Sequence, residues 1–221
     1  MSFLAYLALH RGIDHPREIL LERFWADQEP ARARSSLGSA LCRLKKTLQL
    51  DGASCVELSP RGEPRISPSA PISFDIDAFE AGIVPTLASP HGPIEPQRAL
   101  NLAASLAYYR GDLLLGWYDD WVLVERERLR VLCLRGYRRL MEHHAALGEF
   151  EPALAAGRAA LAIEPLQEAV QQRVIELYAA NGQRVEALRQ YQRLAALLKA
   201  ELEVEPAKET RTLINRVLAQ G

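Results

Sequence analysis

Glu142-His-His-Ala-Ala-Leu-Gly-Glu-Phe-Glu-Pro-Ala-Leu154 and Glu176-Leu-Tyr-Ala-Ala-Asn-Gly-Gln-Arg-Val-Glu-Ala-Leu188 share one pattern at a shift of 34 residues. Gly148 falls on Gly182, Ala145-Ala146 on Ala179-Ala180, and Ala153-Leu154 on Ala187-Leu188. A unit of this length cannot bury its apolar face alone, and the period is that of stacked helix pairs. Glycine ends the first helix of each pair. The small side chains at Ala153 and Ala187 let paired helices approach. Pro165 closes the first unit, whereas the last helix of the second runs on through Leu197 to about Leu202. An earlier pair, Glu95 to Tyr109 and Trp121 to Leu140, is expected to stack in front.

Outward from the repeat, residues 51–95 are rich in Pro, Gly and Ser and hold the strand-like segments. Cys55-Val-Glu-Leu-Ser alternates apolar and polar residues. Pro60-Arg-Gly-Glu supplies a turn and Arg65-Ile-Ser a return strand, which together predict a small hairpin. Pro64, Pro68 and Pro71 argue against a long central strand. Phe74-Asp-Ile-Asp-Ala-Phe fits a short strand or a helix entry, and Ser89-Pro-His-Gly-Pro fits a loop. Residues 1–50 read as three short helices. The first is Phe3 to His10, stopped by Gly12. The second starts at Pro16 and reaches Trp25, with Ile19, Leu20, Phe24 and Trp25 at helical spacing. The third runs from near Pro30 to Leu50, with Leu37, Leu41, Leu44 and Leu48 in one stripe. The fold class expected is mainly α.

With 48% hydrophobic and 25% charged residues among 221, the chain can fill the core of one large or two small domains. A formal net charge of −1 excludes a polycation, so any nucleic-acid surface must be local. Residues 1–70 carry ten Lys/Arg against eight Asp/Glu, and the remainder 17 against 20, which puts the positive excess at the front. Cys42, Cys55 and Cys133 are odd in number and lack disulfide or zinc spacing, as in a reducing cytoplasm. Phe3 to Leu9 is too short for a signal peptide, and no run is long enough to span a membrane.

On a helical wheel of the third helix the leucines point one way. Arg32, Ser35, Ser39, Cys42, Arg43 and Lys46 lie broadly opposite. From Ala31 to Leu50 stand five bases, Arg32, Arg34, Arg43, Lys45 and Lys46, and no acid. Short polar side chains flanked by bases suit a helix in a major groove, where the backbone approaches base edges and the bases neutralise phosphate. Two preceding helices and a following hairpin make the order helix-turn-helix plus wing, with Arg61 at the wing tip to reach phosphate or the minor groove. The same face also fits a plain solvated helix surface.

Gly111-Asp-Leu-Leu-Leu-Gly-Trp-Tyr-Asp-Asp-Trp is the most distinctive local string. Asp112, Asp119 and Asp120 lack a His or Glu at ligand spacing, so a metal or acid–base site is a poor match. Trp117, Tyr118 and Trp121 are expected to plug the seam between the helical array and the N-terminal module. Glu125-Arg-Glu-Arg128 reads as a solvated face with local ion pairs. His143 and His144 point about 100° apart and cannot share a metal. His144 matches Tyr178 in the repeat, so it is expected to be packed or partly exposed. No phosphate loop, nucleophile elbow or metal motif appears, so no catalysis and no cofactor are expected.

Several strings resemble one family. They are Leu4-Ala-Tyr-Leu-Ala-Leu-His-Arg-Gly12, Glu29-Pro-Ala-Arg-Ala-Arg34, Ser39-Ala-Leu-Cys-Arg-Leu-Lys45 and Phe74-Asp-Ile-Asp-Ala-Phe79. To these add Tyr109-Arg-Gly-Asp-Leu-Leu114, Tyr118-Asp-Asp-Trp-Val-Leu-Val-Glu-Arg-Glu-Arg-Leu129 and Leu202-Glu-Val-Glu-Pro-Ala-Lys-Glu-Thr-Arg211. The order is similar to Streptomyces antibiotic regulatory protein-type transcriptional activators. Those join a winged helix of the response-regulator type to a bacterial transcriptional activator domain of tetratricopeptide-like helices. The resemblance covers nearly the whole chain and is most specific in its second part. It implies a winged-helix DNA-binding domain at 1–72 and an activator domain at 73–221. It implies double-stranded promoter DNA as a partner, with RNA polymerase and a second copy of the chain as further candidates, and no membrane. Two departures stand out. The family's winged helix opens with strands before its first helix, and here Met1 sits on that helix, so a late start, a fragment or an N-terminally truncated domain is expected. Relatives also carry longer polar or basic residues where this chain has Ser35-Ser-Leu-Gly-Ser39, which leaves fewer groups to read bases.

Two function classes therefore stand side by side. One is a DNA-binding regulator using Arg32, Arg34, Ser35, Ser39, Arg43, Lys45, Lys46 and Arg61. The other is a protein-interaction module whose N-terminal domain has lost DNA binding, with a concave array for peptides or helices. Acids Glu18, Glu22 and Asp27 beside the bases would favour the second.

Overall fold

The computed structural model describes residues 2–50, 53–88 and 94–219. The loop expected at Ser89-Pro-His-Gly-Pro lies outside them. The chain divides into two compact units, Met1–Ile76 and Asp77–Gly221.

The first unit opens with three helices, α1 (Ser2–Leu9), α2 (Arg17–Trp25) and α3 (Pro30–Thr47). Leu7, Leu20 and Leu37 are fully buried where they meet. An aromatic cluster extends this core, with Phe3 edge-on to Phe24 at 5.4 Å and Tyr6 edge-on to Phe24 at 5.5 Å. The apolar stripe of α3 buries Ala33, Leu37 and Leu41, while Leu44 and Leu48 are half-buried. Truncating any of the buried leucines should cost about 2–5 kcal/mol. Two small antiparallel pairs follow. Strand β1 (Gln49–Leu50) pairs with β2 (Ala53–Ser54), and β3 (Val56–Leu58) with β4 (Pro64–Ile66). The second pair is the expected hairpin, with Val56 opposite Ile66, Glu57 opposite Arg65 and Leu58 opposite Pro64. The first pair is too short to leave a pattern in the sequence.

The second unit is an array of seven helices among the described residues: α4 (Asp75–Leu87), α5 (Pro96–Leu106), α6 (Asp120–Ala146), α7 (Phe150–Ile163), α8 (Glu168–Ala180), α9 (Arg184–Leu202) and α10 (Lys208–Ala219). The segment after Phe74 is thus a helix entry, and Phe79 and Ile83 are its buried residues. Gly148 and Gly182 end α6 and α8 at φ +74° and +72°, in the left-handed region that favours glycine. Ala153 and Ala187 are fully buried at the crossings, as their place in the repeat requires. Gly157 approaches α8 more closely still, because a Cβ there would lie 2.6 Å from the Val174 methyl.

The last helix was not evident from the repeat. Glu168 of α8 holds it by accepting the Ala207 backbone N–H at 2.6 Å and the Thr210 hydroxyl. Arg184 donates to the carbonyls of Val217 at 2.7 Å and Leu218 at 2.8 Å and so closes the C-terminal end of α10.

Candidate nucleic-acid interface

Helix α2, a turn at 26–29 and α3 form the helix-turn-helix. Pro30 occupies the first turn of α3, where a missing N–H costs nothing. The Glu29 carboxylate accepts from the backbone N–H groups of Ala31 and Arg32, and the Ser36 hydroxyl donates to the Gln28 side-chain oxygen at 2.9 Å. These bonds fix where α3 starts.

The wing is tied to the same unit by backbone bonds. Cys55 N–H donates to the Leu48 carbonyl at 2.8 Å, Gly12 N–H to Ile66 at 3.0 Å, and His15 N–H to Pro64 at 3.1 Å. At its tip Ser59 N–H donates to the Glu63 carbonyl at 2.9 Å, and Gly62 takes φ +77°. Arg61 is presented there, exposed. Its neighbour Arg65 is already neutralised. It bonds Glu57 across the hairpin at 2.9 Å and Asp14 at 3.4 Å. The Ser67 hydroxyl and then Arg65 hold the Glu57 carboxyl below its ordinary range.

The sequence-derived residues fall as follows. Arg32, Arg34, Ser35, Ser39, Arg43 and Lys46 are exposed along α3, Arg61 is exposed on the wing, and Lys45 is half-buried. Among the described residues none of these bases is in an ion pair. Glu18 and Glu22 are on α2 and Asp27 follows it; all three are exposed, and none pairs with the bases. The face of α3 is therefore a strip of exposed bases without ion-pair partners among the described residues, with a small-residue centre of Ser35, Gly38 and Ser39. An exposed strip of this kind can neutralise phosphate and admit close backbone approach to base edges. In the same unit His15 is 5% exposed, its ring 5.1 Å from Tyr6 and 5.9 Å from His10. Its Nε2 has no hydrogen-bond partner among the described residues. Burial, and then the neighbouring His10, lower its pKa.

The array modifies one expectation. Trp121 is buried, Trp117 half-buried and Tyr118 78% exposed. The Glu125–Arg128 stretch is only partly a solvated face. Arg128 does pair with Glu125 at 2.7 Å and Glu80 at 2.6 Å. Arg126 instead turns to the backbone and donates to the carbonyls of Leu113 (2.6 Å), Leu114 and Trp117 (2.8 Å). It thereby holds Leu114 at φ +49°, a conformation that costs a non-glycine residue about 1 kcal/mol. Nothing in the spacing of the two arginines marks this difference. His143 is buried. Its Nδ1 accepts the Ile94 backbone N–H at 3.0 Å, and burial lowers its pKa. His144 is half-buried and meets Glu149 at 2.6 Å.

Asp112, Asp119 and Asp120 are all exposed, and among the described residues no three His, Cys, Asp or Glu are grouped to hold a metal. Cys133 is buried, which pushes its thiol up to about 12. Among the described residues no helix is long and apolar enough to cross a membrane.

Comparison with known proteins points one way. The family model described as bacterial transcriptional activator domain matches residues 74–218. The transcriptional regulatory protein MoaR1 of Mycobacterium tuberculosis is 26% identical over 224 residues, which cover 99% of this chain and 71% of that protein. MoaR1 of Mycobacterium bovis is 28% identical over 231 residues with the same coverage. A solved structure of Mycobacterium tuberculosis EmbR in complex with a low affinity phosphopeptide superposes with a TM-score of 0.77 at 24% identity, a likeness of fold. It covers 99% of this chain, which spans 58% of the EmbR chain.

Proposed function

Because this chain belongs to the bacterial transcriptional activator domain family, we propose that it is a transcriptional regulator that grips promoter DNA. Helix α3 enters the major groove, with Ser35 and Ser39 toward base edges and Arg32, Arg34, Arg43, Lys45 and Lys46 toward phosphate. Arg61 of the wing contacts the flanking backbone or minor groove. The helical array makes protein contacts, with RNA polymerase and a second copy of the chain as the candidate partners. The reading assigns no catalytic step to the chain. Free Cys42, Cys55 and Cys133 support a reducing, cytoplasmic setting.

The observation that carries the DNA half is the acid-free exposed face of α3, whose bases have no ion-pair partner among the described residues. Methylation protection at guanine N7 tests it, since that atom lines the major groove. Protection of a short tract in the chain's own upstream DNA is expected. Uniform reactivity along the fragment overturns it.

One observation favours the second reading, a protein-interaction module. The N-terminal end of α3 is occupied by the protein's own carboxylate, Glu29, and the centre of the helix face bears only short side chains. If the DNA arm fails, the array and its partners carry the function.

A further inference from the structure

The loop before α6 is built unlike an ordinary surface turn. Leu115 is 81% exposed and Tyr118 78% exposed, while Leu113, Leu114 and Trp117 beside them are half-buried. Val124, in the first turns of α6, adds a further side chain at 66% exposure. Large apolar groups held out in water lower solubility and persist where a partner covers them.

Three features show that the display is organised. Arg126 commits its guanidinium to three loop carbonyls, those of Leu113, Leu114 and Trp117. Gly116 at φ +88° and Leu114 at φ +49° set the backbone that points Leu115 outward. The Arg126 guanidinium also lies 6.0 Å from the Tyr118 ring, a loose cation–π contact that steadies the aromatic. The loop is thus fixed before binding, which removes much of the ordering cost of association.

Its charge states the partner. Across 110–120 the ionised residues are Arg110 against Asp112, Asp119 and Asp120, a net of −2, and the Arg126 guanidinium turned in on the loop carbonyls brings the loop to −1 with its three carboxylates outermost. All three aspartates are exposed. Such a rim repels nucleic acid and anionic lipid and attracts a basic surface. We propose that the Leu115–Tyr118 loop is a docking prong for a protein surface with an apolar pocket rimmed by lysine and arginine. Leucine and tyrosine fill the pocket, and the aspartates pair with its rim. This rests on the protein-contact half of the proposed function and is independent of DNA binding.

The test uses the full chain and two labelled helical peptides of about 16 residues. Each has one leucine stripe, flanked by Lys/Arg in the first and by Glu in the second. The basic peptide should bind at least about tenfold tighter than the acidic one. Leu115→Ser combined with Tyr118→Ser should weaken that binding about tenfold or more. The unfolding midpoint and promoter-DNA affinity of the double variant should stay unchanged, which separates failure here from failure of the DNA reading. Equal affinity for both peptides, binding of neither, or wild-type affinity in the double variant overturns the proposal. So does concentration-dependent self-association in sedimentation that the double variant abolishes, since the occupant is then a second copy.

Discussion

The Glu29 carboxylate accepts the backbone N–H of Ala31 at 3.1 Å, so the positive end of α3 is closed by the protein's own anion. In the docking proposed above that end of α3 approaches DNA, whose phosphates a carboxylate repels. Glu29→Gln keeps an oxygen to accept the hydrogen bond and removes the charge. We expect DNA affinity to rise several-fold and stability to fall by no more than about 1 kcal/mol. Anisotropy titration and thermal unfolding check the two arms; an affinity that falls instead places this helix end away from phosphate.

Gly38 offers a sharper contrast. It lies mid-helix in α3, and a Cβ there meets nothing within 4 Å. Gly38→Ala should therefore stabilise the protein by about 0.5–1 kcal/mol. It also places a methyl between Ser35 and Ser39 on the face assigned to the groove. We expect a raised melting temperature together with weakened DNA binding. Stabilisation with unchanged DNA affinity would mean that the α3 backbone does not approach base edges.

At Gly157 the same substitution has the opposite sign. The added Cβ would sit 2.6 Å from Val174 and 3.1 Å from the Met141 sulfur. Gly157→Ala should cost about 1–3 kcal/mol through overpacking at the α7–α8 crossing. Denaturant unfolding measures this, and a loss below a few tenths would show that the crossing relaxes freely.

We expect His15 to make the first unit acid-sensitive. Its folded pKa is depressed by burial and by His10; Asp14 opposes the shift, and Arg23 and the Tyr6 ring also face it. The unfolded chain therefore takes up a proton near pH 6.5 that the folded chain refuses. The contribution of His15 to stability is fully present above that pH and is lost as pH falls toward the lowered folded value. His143 acts in the same direction in the second unit. His15→Phe should flatten part of the decline in unfolding midpoint between about pH 7 and 5. A profile as steep as wild type would show that His15 does not drive it.

The array was legible because its packing demands recur. Small residues must stand at Ala153 and Ala187 and left-handed glycines at Gly148 and Gly182, so the constraint is written twice in the chain. The α3 face was legible for a similar reason, since leucines on one side and bases on the other follow the helical period. Phe74–Phe79 was ambiguous because Phe74, Ile76 and Ala78 alternate like a strand while Phe79 and Ile83 continue a helix; burial of the latter two settled it. The bounds of α10 escaped because it falls after the last repeat. The role of Arg126 was invisible, since only the folded loop brings three carbonyls to its guanidinium. The acceptor role of His143 left no mark in the sequence, because its donor Ile94 comes from a segment 49 residues away.

The most direct test of the central claim is fluorescence anisotropy with the full chain and its own upstream DNA, against random duplex, across a salt series. We expect selective binding to the upstream DNA that weakens with salt. Arg43→Ala and Lys46→Ala should each lower the logarithmic salt slope by about 0.9 if each base neutralises one phosphate. Neither should shift the unfolding midpoint, because both side chains are exposed and, among the described residues, unpaired. Absence of binding even at low salt, or equal affinity for random duplex, would contradict the DNA reading and turn the search to partners of the helical array.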